Sequence, residues 1–240
     1  MIREIGLLFC TVPFVVALSA CGRVQSTTTG EKNAGVVAER SVTDAPLFFR
    51  ETWNIPPNNH DGALAQRHVS DPDLQLSLYG SAKDTVAARG LEQGLQANKG
   101  PGLPAHIFSG LCEQPCAMSL RDKNRYVDLS GLGKIHWLIA VTGLHKVHPI
   151  VKLADGTWWL GEHGDGTVFD YHPYESTLSE MRWIQMDMER VVTRGGWLDK
   201  VDLSKVDEVG YADLMPGSGH GDGGFSNVGW IEVYGKGVPR

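Results

Sequence analysis

The chain has 240 residues, 42% of them apolar, and a formal net charge of −6. A chain of this size can bury a substantial core as one large all-β domain. Its acidic balance, with no basic cluster, excludes the electrostatic footprint of a nucleic-acid binder. The 29 glycines and 12 prolines suit a turn-rich β architecture, and no stretch after residue 20 is long and apolar enough to span a bilayer.

At the N-terminus Arg3 precedes an apolar run from Ile5 to Leu18, interrupted by Pro13, and Leu18-Ser19-Ala20-Cys21 follows. This resembles a bacterial lipoprotein signal peptide, whose small-residue lipobox ends in a cysteine that is diacylated before cleavage. The resemblance implies that residues 1–20 are a signal peptide and that Cys21 carries palmitate-type lipid. It also implies a membrane anchor in the cell envelope. Gly22 in place of Asp after the cysteine favours the outer membrane, facing the periplasm. Residues 21–46, rich in Thr, Ser, Gly and Glu without periodicity, read as the lipidated cysteine and a flexible tether. Cys10 leaves with the signal. Cys112 and Cys116 remain, able to close a small disulfide loop in an oxidising compartment or to stay free thiols. A zinc site would need two further ligands that no CxxC or HxxxH spacing supplies.

The domain proper is expected over residues 47–240. Leu47-Phe48-Phe49-Arg50-Glu51-Thr52-Trp53 has the aromatic density of a first strand, stopped by Pro56-Pro57. Residues 74–79 alternate Leu74, Leu76 and Leu78 against polar neighbours, as a half-buried strand does. Between 80 and 104 the pattern dissolves into a surface insertion with a weak helical period at 84–96. Strands resume at 106–111, 116–121 and 125–129. The segments 134–141, 148–154 and 157–161 are rich in Val, Ile, Trp and Leu, and read as consecutive antiparallel strands. In the first of them Ile135, Trp137, Ile139 and Val141 share one face. Asp155-Gly156 predicts a tight hairpin whose central residues take positive φ. Further extended segments are expected at 169–175 and 181–188, then a loop at 189–202 carrying Gly195-Gly196 and Trp197. Closing strands at 206–213 and 228–234 are joined by the glycine-rich stretch 216–224. About ten short strands without a convincing helix predict an all-β jelly-roll β-sandwich.

The phrase Val127-Asp128-Leu129-Ser130-Gly131-Leu132-Gly133-Lys134-Ile135 resembles the strand entry of galactose-binding-like jelly rolls. It is similar to family-11-type carbohydrate-binding modules and to the complex I intermediate-associated protein 30 family. Val206-Asp207-Glu208-Val209-Gly210 and Trp230-Ile231-Glu232-Val233-Tyr234-Gly235 resemble the closing strands of the same fold. The resemblance implies carbohydrate binding and a structural calcium near the first and last strands, where Glu51 and Glu232 stand.

Sugars stack their CH-rich faces on aromatic rings and offer hydroxyls to polar side chains. Trp158 and Trp159 are adjacent in a strand and must point to opposite faces. One of them, with Tyr171, His172, Tyr174 and Trp183, is expected to line a carbohydrate platform. His163-Gly164-Asp165-Gly166 recurs as His220-Gly221-Asp222-Gly223, so His163, Asp165, His220 and Asp222 are candidate ligands for a divalent metal or a sugar. Asp165, Asp170, Asp187, Glu189, Asp207, Glu208 and Asp213 are candidates by type for a glycosidase acid and base. GxSxG, HExxH and Gly-rich phosphate-loop signatures are lacking. The leading expectation is a non-catalytic, envelope-anchored glycan-binding domain. A glycoside hydrolase or lyase and an assembly lipoprotein are the alternatives.

Overall fold

The computed structural model describes residues 44–57, 59, 62–90, 104–218 and 223–240, all within the compact unit Val42–Arg240. The signal peptide, Cys21, nearly all of the tether, most of the 80–104 insertion, His220 and Asp222 lie outside the described residues. The first strands are β1 (Leu47–Glu51), β2 (Gly62–Ala63), β3 (Leu74–Gly80), β4 (Ala87–Arg89) and β5 (His106–Phe108). The middle of the chain forms β6 (Cys116–Asp122), β7 (Arg125–Asp128), β8 (Lys134–Leu153), β9 (Trp158–Gly161) and β10 (Asp165–Thr177). Last come β11 (Trp183–Asp187), β12 (Val192–Leu198), β13 (Val206–Asp213), β14 (Ser226–Tyr234) and β15 (Lys236–Pro239). Helix among the described residues is limited to the single turn α1 (Ala82–Thr85) and 3-10 turns at Gln66–His68 and Leu178–Glu180.

The twenty-residue β8 decides the architecture. Its first half pairs with β14, its last residues pair with β13 and β9, and β10 follows it from Lys134 through the bend to Val147. One strand therefore belongs to two layers. The first layer runs β10-β8-β14-β5-β4-β2, with β1 on the far stretch of β14. The second runs β12-β11-β9-β8-β13-β6-β3, with β7 against the start of β13 and β15 against β7. Between them Ile135, Trp137, Ile139, Val228 and Ile231 meet Met118, Leu120, Val151, Val209, Tyr211 and Trp183 in one apolar core. The molecule is an all-β jelly-roll sandwich, as its alternating pattern predicts.

The second layer is apolar on its other side too. Ala117, Ile150 and Ala212 are chain neighbours of core residues, so they face away from the core. With Trp158, Leu160, Ile184, Met186 and Val191 they form a second cluster. Val191 shows how this face is shaped. It sits in the β11–β12 turn, yet a Cβ added to Gly80, at the end of β3, would lie 2.6 Å from Val191 Cγ2. Four strands separate β3 from β11 in the layer, so the layer curls until its two sides meet and this face is concave.

Where β8 passes from one layer to the other, Asp213 is fully buried and gathers four segments. It accepts hydrogen bonds from His145 Nδ1 at 2.7 Å, Ser226 Oγ at 2.6 Å and Ser109 Oγ at 3.1 Å. Thr142 N donates to Phe225 O, and Gly143, at φ +65, packs where a Cβ would lie 2.2 Å from Gly223 O.

The structure corrects several expectations. Segments 134–141 and 148–154 are two ends of β8 and not partners, because the apolar pattern runs through the corner. At the Asp155-Gly156 turn only Gly156 has positive φ; the Asp155 carboxylate instead accepts from Thr157 N at 2.8 Å. The stretch 189–202 contains β12, concealed in the sequence by its glycine pair. The helical period at 84–96 gives way by residue 87 to β4. Replacing Asp213 by Ala should lower the unfolding free energy by about 3–5 kcal/mol, because three donors lose their acceptor inside the protein. Urea denaturation measures this.

Candidate functional site

On the side of the sandwich where β10 lies opposite β9 and β11, a polar cleft of about 500 Å3 is lined by Glu162, His163, Glu175, Ser176, Thr177, Glu180 and Met181. His163 comes from the connection that carries the chain from β9 to β10. Its imidazole is 62% exposed and its Nε2 lies 3.0 Å from Asp165 Oδ1. Asp165 is buried, and its second oxygen accepts the Trp137 indole N–H at 2.8 Å. The carboxylate accepts here and Nε2 donates, which fixes the orientation of the ring. At the rim, Glu162 pairs with Arg182 at 2.6 Å and Glu175 with Lys134 at 2.9 Å. The cleft thus offers carboxylates, a hydroxyl and a fixed imidazole in one place.

The concave face carries a second constellation. Glu208, buried on β13, accepts from Ser119 Oγ at 2.5 Å, Tyr79 OH at 3.0 Å and Lys152 Nζ at 2.8 Å. The Tyr79 ring meets Trp158 edge-on at 5.1 Å, and Lys152 Nζ lies 5.7 Å above the same indole. Burial, and then the charge of Glu208, push the Tyr79 phenol up to about 12. Beside this network Asp207 binds Arg121 at 2.9 Å and Arg240 at 2.5 Å. Sequence reasoning reached Glu208 only by residue type and missed Tyr79, Ser119 and Lys152. The available signal was polar residues recurring every second position in otherwise apolar strands.

The expected aromatic platform is not assembled. Trp158 belongs to the concave face, whereas Trp159 packs toward the inter-sheet core with its Nε1 on Thr157 Oγ1 at 3.1 Å. Trp183 is a core residue, and Tyr171, His172 and Tyr174 stand on β10 in the other layer. Among the remaining carboxylates, Asp187 is tied to Arg190 and Arg194, while Asp170 and Glu189 are exposed.

Glu51 and Glu232 do not converge. Arg50 is opposite Glu232 and Glu51 opposite Ile231, so the two carboxylates leave opposite faces of the sheet. Glu51 is saturated by the N–H groups of Trp53, Ser70 and Asp71 and the Ser70 hydroxyl, and Glu232 by Arg50, His136 and Tyr234. These residues do not fit a calcium site, and no cluster of three or more His, Cys, Asp or Glu able to hold a metal occurs among the described residues. Cys112 and Cys116 are buried free thiols hydrogen-bonded to each other, an arrangement that, with burial, raises the Cys116 pKa.

A raised phenol pKa stabilises the fold below the unfolded value, and this contribution is lost as pH climbs through the folded value. Stability should therefore fall between pH 10 and about 12 in the parent and less so in Tyr79→Phe. Glu208→Gln should move the Tyr79 titration back toward 10, which ultraviolet difference spectra against Tyr79→Phe will register.

No family model and no curated protein matches the chain. Among solved structures it is similar to an exo-β-agarase (9% identity, TM-score 0.39), covering 71% of this chain and 24% of that one. It is also similar to PfGH50B (10% identity, TM-score 0.34), covering 57% of this chain and 21% of that one. A family 11 carbohydrate-binding module from Clostridium thermocellum, in complex with a β-1,3-1,4-mixed-linked tetrasaccharide, is 13% identical with a TM-score of 0.36 over 69% of this chain and 85% of that one.

Proposed function

We propose that the sandwich binds a glycan in the polar cleft beside β10, and that the protein is an envelope lipoprotein anchored through Cys21. A sugar hydroxyl is at once donor and acceptor, so a glycan site needs mixed, prepositioned partners more than charge. The observation that carries the reading is the exposed His163 imidazole, held by a buried carboxylate at the mouth of a cleft of about 500 Å3. That volume lies in the range of small-molecule sites. Glu162, Glu175 and Glu180 make the wall rich in acceptors, which favours neutral or amino-bearing sugars over acidic ones. Orientation of His163 costs the ligand nothing at the moment of binding, because Asp165 and Trp137 have fixed it beforehand.

The same pair supports a second reading. A buried carboxylate that fixes the tautomer of an exposed imidazole is also the arrangement of a general base, which would serve a hydrolase or lyase. Release of reducing or unsaturated ends from a bound glycan, abolished by His163→Ala, distinguishes turnover from binding.

Calorimetric titration with neutral gluco-, xylo-, agaro- and chito-oligosaccharides should find saturable binding. His163→Ala should weaken it by about tenfold, the worth of one well-placed hydrogen bond. Lys152→Ala, on the concave face, should leave it unchanged. Absence of saturable binding across the panel ends the reading, and loss through Lys152→Ala alone moves the site to the concave face. For the envelope assignment, palmitate should label the wild type and not Cys21→Ala.

A further inference from the structure

The cleft beside β10 is one-sided in its hydrogen-bonding character. Glu162 reaches it from the residue after β9, Glu175 from β10 and Glu180 from the 3-10 turn Leu178–Glu180, so three segments each turn a carboxylate into one space. Among the described residues no Lys or Arg lines it. Arg182 answers Glu162 and Lys134 answers Glu175 from outside the lining. Glu180 is exposed and has no ion pair among the described residues, so one negative charge at the rim is unmatched. His148, whose ring packs against Gly164 beside His163, is driven toward its neutral form by burial and adds no cation. A proton taken up by His163 is matched by the buried Asp165 carboxylate.

The wall holds a second, independent observation. Ser176 lines the cleft and is only 4% exposed, yet its hydroxyl oxygen has no hydrogen-bond partner. It stands on β10 opposite Ile135, on the inner side of the layer, where β10 lies across from β9 and β11. A buried hydroxyl without a partner is unfavourable to keep, and one that borders an open cleft holds its lone pairs ready for whatever enters.

We infer that the cleft selects a glycan carrying protonated amino groups, that is, a de-N-acetylated amino-sugar chain. The inference rests on the glycan reading above and narrows it. An ammonium brings three N–H donors and no acceptor, the complement of a wall built from carboxylate oxygens and a free hydroxyl. A neutral sugar brings acceptors as well as donors, and only His163 and the hydroxyls of Ser176 and Thr177 could serve those acceptors here. An acidic sugar meets like charge. Hydrogen bonds between charged partners are roughly twice as strong as those between neutral ones, so at this wall an amino group outweighs the hydroxyl or acetamide it replaces.

The test is calorimetric titration of the full chain with chito-oligosaccharides and with their de-N-acetylated counterparts of equal length, at a pH where the amine is charged. The amine series should bind at least about tenfold more tightly. Its advantage should shrink as salt is raised to about 1 M, where the screening length falls to about 3 Å. Glu180→Gln should cut the ratio of the two affinities about threefold. Ser176→Ala should weaken binding of the amine series without lowering the melting temperature, because it removes a hydroxyl that the fold leaves unbonded. Equal affinity for the two series, or a preference that survives both high salt and Glu180→Gln, overturns the inference. So does a lysine oligomer of matched charge that binds as tightly, which would assign the wall to basic peptides, or calcium that displaces the amine series at one equivalent, which would make it a metal site. The two readings fail separately. Saturable binding of the acetylated series with no preference for the amine removes the amine alone, and no binding of either series removes the glycan as well.

Discussion

Asp213 is the constraint on which the sandwich depends. A twenty-residue strand can serve two layers only if its bend is held, and the bend of β8 has no ladder of its own between Val141 and Val147 on the β13 side. The buried carboxylate replaces the missing pairing by drawing β5, β8, β13 and β14 to one point. A carboxylate in that setting is stable only with its oxygens hydrogen-bonded, and two hydroxyls, an imidazole and the Met215 N–H supply those bonds.

Glu51, Asp165 and Glu208 are further carboxylates buried in this way, and the donors around each define its job. Glu51 takes backbone N–H groups and fixes the chain after β1. Glu208 takes a phenol, a hydroxyl and an ammonium and organises the concave face. Asp165 has as one partner the imidazole of His163, which lines the cleft. Its burial is transmitted through His163 to the cleft, which makes it the carboxylate through which the interior acts on the surface.

The layers were legible in the sequence because side-chain alternation is a local signal. Ile135, Trp137, Ile139 and Val141 face the core as their spacing requires, and the closing strand 206–213 has the limits its pattern predicts. The continuity of β8 was not legible, because Gly143 and the polar residues around it look like a turn unless the distant Asp213 is known. The candidate site was legible only in part. The His163-Gly164-Asp165 wording marked two residues that do bond each other, but their partner Trp137 is 28 residues earlier. The aromatic platform failed for a related reason: composition identifies rings suited to stacking, while strand parity and layer membership decide which face each ring joins.

The curled second layer has a further consequence. Because β8 is shared and the β11–β12 turn reaches back to β3, neither layer has an independent boundary along which it can come apart. Loosening one sheet would expose both apolar clusters at once, so amide protons of the two layers should exchange with a common opening free energy, as one foldon.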